Sequence, residues 1–242
     1  MLELHQFRHS AFCLKVRMAL QSKGLSFREV EVTPGIGQIA VFRLSGQRQV
    51  PVLVDGDHVV ADSSAICRYL ETLEPVPALI PDEPRLRAQV ELMEDWADTT
   101  LAAAARAALL QAAVDDPLLR DALLPDDVPS PVRQVMSGLP GGWLSGVGDL
   151  LGQEQRASML SSLCTMADAI DAAGVLVGDA LSLADLSVAA QLSLLRFPSS
   201  AGSALAGRGV PGISDHPRLQ SLFHWRDQLE ERLLQQDPAT TV

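Results

Sequence analysis

Four prolines within residues 74–84 divide the chain into two parts of different character. Before them, short alternating or β-branched segments, which are typical of strands, take turns with segments whose apolar residues recur at helical spacing. After them the strand pattern disappears and a 3.6-residue apolar period dominates. Such a density of prolines is typical of a linker, so the sequence predicts two domains, residues 1–76 and residues 85–237.

The first 76 residues predict the order β-α-β-α-β-β-α. Ser10 is the expected N-cap of the first helix, which Gly24 ends. Asp55-Gly56-Asp57 predicts a hairpin turn, and Asp62 or Ser63 can cap the helix that follows. The predicted strands are Leu2–Phe7, Phe27–Val32, Val50–Val54 and Val59–Val60, with a short second helix over Ile39–Leu44. This pattern favours a small mixed sheet covered by helices.

Beyond the linker, helices are predicted around residues 86–101, 159–170, 183–190 and 222–233. Ser182 and Asp185 stand three residues apart before an apolar run, which predicts a capping box rather than a catalytic pair. The segment from Asp115 to Gly152 is rich in proline, glycine and leucine, with a short helix expected over Val132–Ser137.

Charge and cysteine content exclude several classes of protein. Thirty acidic against 19 basic side chains give a net charge of -11, which argues against nucleic acids and anionic membranes as partners. No apolar run approaches the roughly 20 residues of a membrane helix, and the first ten residues lack a signal core. Three cysteines exclude a disulfide scaffold and favour the cytoplasm. The five histidines lack zinc-type spacing, so no metal is expected.

Four motifs, in this order, resemble those of the glutathione S-transferase family. They are Ser10-Ala11-Phe12-Cys13, Val50-Pro51-Val52-Leu53, Asp62-Ser63-Ser64-Ala65-Ile66, and Gly178-Asp179 with Ser182, Asp185 and Val188. The resemblance implies a thioredoxin-like α/β N-terminal domain followed by an all-α C-terminal domain. It also implies glutathione as a substrate, a small electrophile as the second substrate, and a homodimer.

Glutathione transfer requires a thiolate near neutral pH, whereas a free thiol has a pKa of about 8.5. Backbone N–H groups and the helix dipole stabilise an anion at a helix start, where Ser10 stands. Many relatives use a tyrosine, but Tyr69 is the one tyrosine here and belongs to the third helix. The resemblance therefore makes Ser10 the expected donor to the thiolate; the alternative is that Ser10 only caps the helix.

Cys13 matches the second, less exposed cysteine of the Cys-x-x-Cys pair in glutaredoxin-like relatives. Ser10 replaces the first, so this motif cannot form a disulfide. Because Cys13 shares a helical stripe with Val16 and Leu20, a buried structural thiol is expected. The alternative is a mixed disulfide between Cys13 and glutathione.

The remaining glutathione contacts are implied by the resemblance. A cis peptide before Pro51 would turn the backbone of Val50 toward the cysteinyl unit of glutathione. Ser63 suits the γ-glutamyl carboxylate and Asp62 the ammonium. Gln49, or Arg48 in its place, stands where relatives hold the glycyl carboxylate.

The second substrate is expected at the helical domain, around Met93, Trp96 and Arg106, with the 115–152 segment as a lid. The resemblance thus implies a cytoplasmic detoxifying transferase similar to the zeta-like and beta-like groups, with an isomerase or dehalogenase as variants. An anionic substrate requires local positive potential, for which Arg17, Arg48 or the helix ends are candidates. The alternatives are a non-catalytic binding or stress protein on this scaffold and a thiol transferase that uses Cys13.

Overall fold

A computed structural model of the chain describes residues 1–33, 37–116, 119 and 149–234. Within these residues one mixed sheet is formed, in the strand order β2-β1-β3-β4. The strands are β1 (Leu2–Gln6), β2 (Phe27–Glu31), β3 (Val52–Asp55) and β4 (His58–Ala61). Strand β1 pairs parallel with β2 and antiparallel with β3, and β3 and β4 form the predicted hairpin.

Three helices cover this sheet, namely α1 (Ala11–Ser22), α2 (Gly37–Ser45) and α3 (Ser63–Leu73). Successive residues of a strand face opposite sides, so adjacent Val52 and Leu53 belong to different layers. Leu53 packs with the apolar faces of α1 and α3, whereas Val52 packs with Val32 and with Val41 of α2. The predicted element order is confirmed, and with it the thioredoxin-like N-terminal fold.

The described part of the second half is helical apart from turns and one isolated bridge, between Arg196 and Gly209. Its helices are α4 (Pro84–Trp96), a π-helical turn (Ala97–Leu101), α5 (Ala102–Asp115), α6 (Asp149–Ala173), α7 (Leu183–Leu195) and α8 (Gln220–Leu234). The predicted all-α character is confirmed. The long helix expected from residue 86 to residue 101 is present, but it ends in the π-helical turn.

Helix α7 joins the two halves. All 13 of its residues are buried, and it packs against α1, α4 and α5. The predicted capping box starts it: the backbone N–H and the Oγ of Ser182 both donate to Oδ2 of Asp185 at 2.8 Å. The Leu176 N–H donates to the other carboxyl oxygen at 2.7 Å. Burial raises the pKa of Asp185, and these hydrogen bonds oppose that rise.

The proline-rich linker is tied to both halves. Nζ of the buried Lys23 donates to the carbonyls of Glu74 and Pro77 at 2.7 and 2.9 Å. The Leu183 N–H donates to the Leu79 carbonyl at 2.8 Å.

No described helix is both long and apolar enough to cross a membrane. The expected short helix at residues 132–137 and most of the glycine-rich segment lie outside the described residues.

Candidate active site

Three of the predicted site segments meet at one end of the sheet. In the strand register, Val52 stands opposite His5 on one side and Ala61 on the other. Pro51 precedes Val52, the loop to Ser10 follows β1, and Asp62 follows Ala61. The pairing therefore brings the Val50–Pro51 turn between the starts of α1 and α3. The Val50–Pro51 peptide is cis, as the resemblance implies.

Ser10 caps helix α1. Its Oγ accepts a hydrogen bond from the Cys13 N–H at 3.4 Å, and its own N–H donates to the Phe7 carbonyl at 2.9 Å. The side chain is half-buried rather than covered. Since Oγ is the acceptor of the capping bond, its O–H proton can still be donated to a ligand at the helix start.

Cys13 is fully buried beneath that cap. Burial raises the pKa of its thiol, and the Ser10 hydroxyl and Phe7 backbone only partly offset that rise. A buried, protonated thiol is a poor nucleophile. Cys67 and Cys164 are also buried, and burial raises the pKa of Cys67 to about 12.

At the start of α3, Asp62 is the N-cap: its Oδ1 accepts hydrogen bonds from the N–H groups of Ser64 and Ala65, both at 3.0 Å. Its φ of 82° lies in the left-handed region, which is costly for a non-glycine residue and occurs most often at functional sites. Ser63 is 3 % exposed, and within the described residues neither its N–H nor its hydroxyl donates a hydrogen bond. The helix start therefore keeps two donors for a ligand.

A buried charge cluster lies beneath this helix start. Nζ of Lys15, which has no exposed surface, is 2.7 Å from Glu94 Oε1, 2.7 Å from Asp98 Oδ2 and 3.2 Å from Ser64 Oγ. Burial by itself lowers the pKa of Lys15, but the acidic groups of Cys67, Asp98 and Glu94 outweigh it, so the pKa is raised.

Asp98 belongs to the π-helical turn. Its Oδ2 accepts from Lys15 and from the Ser64 hydroxyl, whereas its Oδ1 is buried with no hydrogen-bond partner among the described residues. Burial raises the pKa of Asp98, and the Lys15 charge counters the rise. An unsatisfied buried carboxylate oxygen beside a helix start suits a cationic group of a ligand.

Sequence reasoning missed this cluster, although a signal was present. Lys15 stands between the apolar residues Leu14 and Val16, and Glu94 falls four residues after Val90 on the apolar stripe of α4. Charged residues on a buried face are rarely left unpaired, so these positions must find partners in the fold.

The other predicted contact residues lie at the rim. Gln49 is exposed, and Val50 is half-buried and packs beside the Val32, Val41 and Val52 cluster. The Arg48 guanidinium lies 5.7 Å from the ring centroid of Phe42. Within the described residues no group of three potential metal ligands occurs.

A narrow cleft between the two halves opens beside Ser10. Its interior volume is about 20 Å³, and it is partly open to solvent. Its N-terminal wall is formed by Arg8, His9, Ser10, Leu14 and Arg17, and its helical wall by Ser193, Phe197, Pro198, Ser200 and Ala201.

The residues expected to bind the second substrate do not all reach Ser10. Trp96 lines a different cavity of about 300 Å³, between the π-helical turn, α5 and α6, to which Ser10 does not contribute. Arg106 does approach α1, since its guanidinium lies 5.6 Å from the ring centroid of Phe12. The expected lid, residues 115–152, lies mostly outside the described residues.

Residues 4–84 match the family described as the glutathione S-transferase N-terminal domain. Residues 4–84 thus form a domain of the glutathione S-transferase N-terminal family. This domain holds Ser10, the Val50–Pro51 turn and the start of α3, so the matched region includes all three segments of the site.

Curated relatives match mainly this domain of the chain. Glutathione S-transferase 1 of Dianthus caryophyllus is 40 % identical over 90 residues, which cover 36 % of this chain and 41 % of the relative. Maleylacetoacetate isomerase of Rattus norvegicus is 32 % identical over 97 residues, or 38 % and 45 % of the two chains. The matched stretch thus spans less than half of each of these relatives.

A solved structure extends the likeness to the whole chain. A glutathione S-transferase from Rhodospirillum rubrum F11 superposes with a TM-score of 0.65 at 26 % identity, covering 100 % of this chain and 95 % of that chain. Both halves of the chain therefore share the fold of a glutathione S-transferase structure.

Proposed function

We propose that the protein is an enzyme that transfers glutathione to small electrophilic compounds. The observation that carries this proposal is the meeting of two helix starts, α1 and α3, on either side of the cis Val50–Pro51 turn. Helix starts attract anions, and glutathione has carboxylates at both ends and a thiol between them. Family membership supports the same ligand.

Ser10 has the catalytic role in this proposal. Its O–H donates to the glutathione sulfur, which favours the thiolate over the thiol at neutral pH. The thiolate then attacks the electrophilic carbon, forming a carbon–sulfur bond while the leaving group departs or a double bond takes up the electron pair and a proton. The half-buried position of Ser10 on the cleft wall supports this role.

The two ends of glutathione use different residues. The γ-glutamyl carboxylate binds the N–H and hydroxyl of Ser63, and its ammonium lies near Asp62 and the unpartnered Oδ1 of Asp98. The backbone of Val50 before Pro51 pairs with the cysteinyl unit, in the manner of one added strand residue. Gln49, with Arg48 as the alternative, binds the glycyl carboxylate.

Thiol transfer through Cys13 is the less favoured activity. A mixed disulfide with glutathione requires an accessible thiolate, whereas Cys13 has no exposed surface and a raised pKa. We further propose domains at residues 1–76 and 85–237, a homodimer, a cytoplasmic location and a role in detoxification. A monomer mass by light scattering at micromolar concentration would contradict the dimer.

Retention on immobilised glutathione, followed by a turnover screen of electrophiles, tests the enzyme proposal. We expect retention, elution by free glutathione, and conjugation of at least one class of electrophile. Retention without turnover would favour a non-catalytic binding protein, and failure to bind glutathione would reject the proposal.

A further inference from the structure

The cleft beside Ser10 contains two guanidinium groups that bond to neutral acceptors only. Arg8 reaches across the cleft to the helical half, where its Nη2 donates to the Ser200 carbonyl at 3.2 Å. Nη1 of Arg17 donates to Gln6 Oε1 at 2.9 Å, and its Nη2 contacts the Arg8 carbonyl at 3.4 Å. In the part of the chain that the structure describes, no carboxylate lies within 4 Å of either guanidinium.

Arg17 also has an unsatisfied donor. Its Nε is buried and has no hydrogen-bond partner among the described residues. A buried N–H without a partner is costly, and at an arginine the cost is largest because the group is charged. Glu230 interacts with Arg17 electrostatically, but among the described residues no carboxylate forms an ion pair with either arginine. An anionic ligand would supply the missing acceptor.

The acidic groups around the cleft do not replace such a ligand. Glu31 accepts the backbone N–H of Arg8 at 2.8 Å and lies at the outer rim, near Gln6. Glu230 of α8 is buried and hydrogen-bonded to the hydroxyl of Ser200, a residue that lines the cleft. Burial raises the pKa of Glu230, although the charges of Arg226 and Arg17 counter the rise. Its second oxygen is buried without a partner in the described structure, so it makes no bond to Arg17.

The cleft is placed for the second substrate. In the proposed function, on which this inference rests, the carboxylates of glutathione lie at the start of α3 and at Gln49. Ser10, which would hold the sulfur, lines the same cleft as Arg8 and Arg17. A group bonded to that sulfur therefore lies within reach of both guanidinium groups.

We propose that this cleft binds a carboxylate of the second substrate, so that the preferred electrophiles carry a carboxylate close to the carbon that sulfur attacks. Arginine matches a carboxylate because its planar fork donates two hydrogen bonds to the two oxygens. Arg17 and Arg8 are thus specificity-determining residues, and Ser10 remains the group at the sulfur.

Calorimetry with two glutathione conjugates tests the proposal without requiring turnover. S-carboxymethylglutathione and S-carbamoylmethylglutathione have nearly the same shape and differ in the charge next to the sulfur. The wild-type protein should bind the carboxymethyl conjugate about tenfold or more tightly, the size of effect expected for charged hydrogen bonds. This preference should shrink as salt is added, because the cleft is partly open to solvent.

Variants of Arg8 and Arg17 test whether these residues cause the preference for the carboxymethyl conjugate. Arg17→Met and Arg8→Met should each reduce it, and the double variant should abolish it. Arg17→Lys keeps the charge and should restore part of it. Arg85→Met is the matched control: it removes one positive charge at an exposed residue of α4, away from the cleft, and should leave the preference unchanged. Thermal unfolding verifies that each variant is folded.

Glutathione itself is titrated in the same series. If glutathione binds but the two conjugates bind equally, or if the double variant keeps the preference, the carboxylate site is rejected and the proposed function stands. If neither glutathione nor either conjugate binds, the proposed function fails, and this inference fails with it.

Discussion

The two helix starts of the site are held in contrasting ways. At α1 the cap is the neutral hydroxyl of Ser10, with one capping bond of 3.4 Å above a buried thiol. At α3 the cap is the carboxylate of Asp62, with two bonds of 3.0 Å, a left-handed backbone and a buried charge cluster beneath. The hydroxyl of Ser10 has a single capping bond, so it can turn its proton toward the glutathione sulfur as negative charge develops there. The charged cap of α3 suits the γ-glutamyl end of glutathione, whose charges do not change during the reaction. The contrast supports a catalytic role for the first start and an anchoring role for the second.

Loss of Lys15 should have the largest effect, because it leaves Glu94 and Asp98 buried without their cation. Lys15→Met is expected to lower the free energy of unfolding by about 3–5 kcal/mol, the usual cost of breaking a buried ion pair. Denaturant unfolding measures it. Arg68→Met is the matched control: it removes an exposed partner of Glu94, 3.4 Å away, and should cost less than about 1 kcal/mol. Equal costs for the two variants would show that the cluster does not support the α3 start.

Ser10→Ala should lower the rate of conjugation at neutral pH by about 10²-fold, because a donor lost from an anion costs on the order of 2–4 kcal/mol. The pKa of bound glutathione should rise, while its affinity changes much less, since the contacts at both ends of the peptide remain. Initial rates, together with thiolate absorbance against pH, measure both effects. Ser10→Thr keeps the hydroxyl and serves as the control. A weaker affinity with an unchanged pKa would make Ser10 an anchor, and the contrast between the two starts would be lost.

Ser63→Ala should have the opposite effect to Ser10→Ala, because it should change the affinity for glutathione rather than the pKa of the bound thiol. The loss of one charge-assisted hydrogen bond should weaken glutathione binding by about 1–3 kcal/mol, with the pKa of the bound thiol unchanged. Calorimetry measures the affinity. Ser221→Ala, in helix α8 and far from the site, is the matched serine control. Unchanged affinity in a folded Ser63→Ala protein would remove Ser63 from the site.

The smallest effect on activity is expected at Cys13. Cys13→Ser should leave conjugation close to normal and cost some stability, since a hydroxyl replaces a buried thiol. Cys13→Ala, which adds no polar group, separates packing from chemistry. Conjugation rates measured in parallel for Cys13→Ser, Cys13→Ala and Ser10→Ala provide the test. An inactive Cys13→Ser protein with a nearly normal Ser10→Ala protein would reverse the assignment and indicate thiol transfer through a mixed disulfide.

Local signals in the sequence predicted the elements around the site well. The Ser10 cap, the Asp55-Gly56-Asp57 turn and the capping box of Ser182 and Asp185 are all present. Each of these features depends on residues at most three positions apart, so the local sequence is sufficient to specify it. The sequence offered two candidates for the N-cap of α3, Asp62 and Ser63, and in the structure the N-cap is Asp62.

What lies next to these elements depends on contacts between distant residues. Lys15 meets Glu94 and Asp98, which are 79 and 83 positions away, and Arg8 meets Ser200 across 192 positions. The residues expected to bind the second substrate do not lie together for the same reason, since Trp96 lines a cavity to which Ser10 does not contribute.

The sequence alone determined the starts of the capped helices α1, α3 and α7 and the position of the hairpin turn, because caps and turns are satisfied by neighbouring residues. The tertiary structure decided which charges are buried together, which thiol is sealed from solvent, and which guanidinium groups are left facing a cleft. The energy of a charge depends on its burial and on its partners, and packing between the two halves sets both.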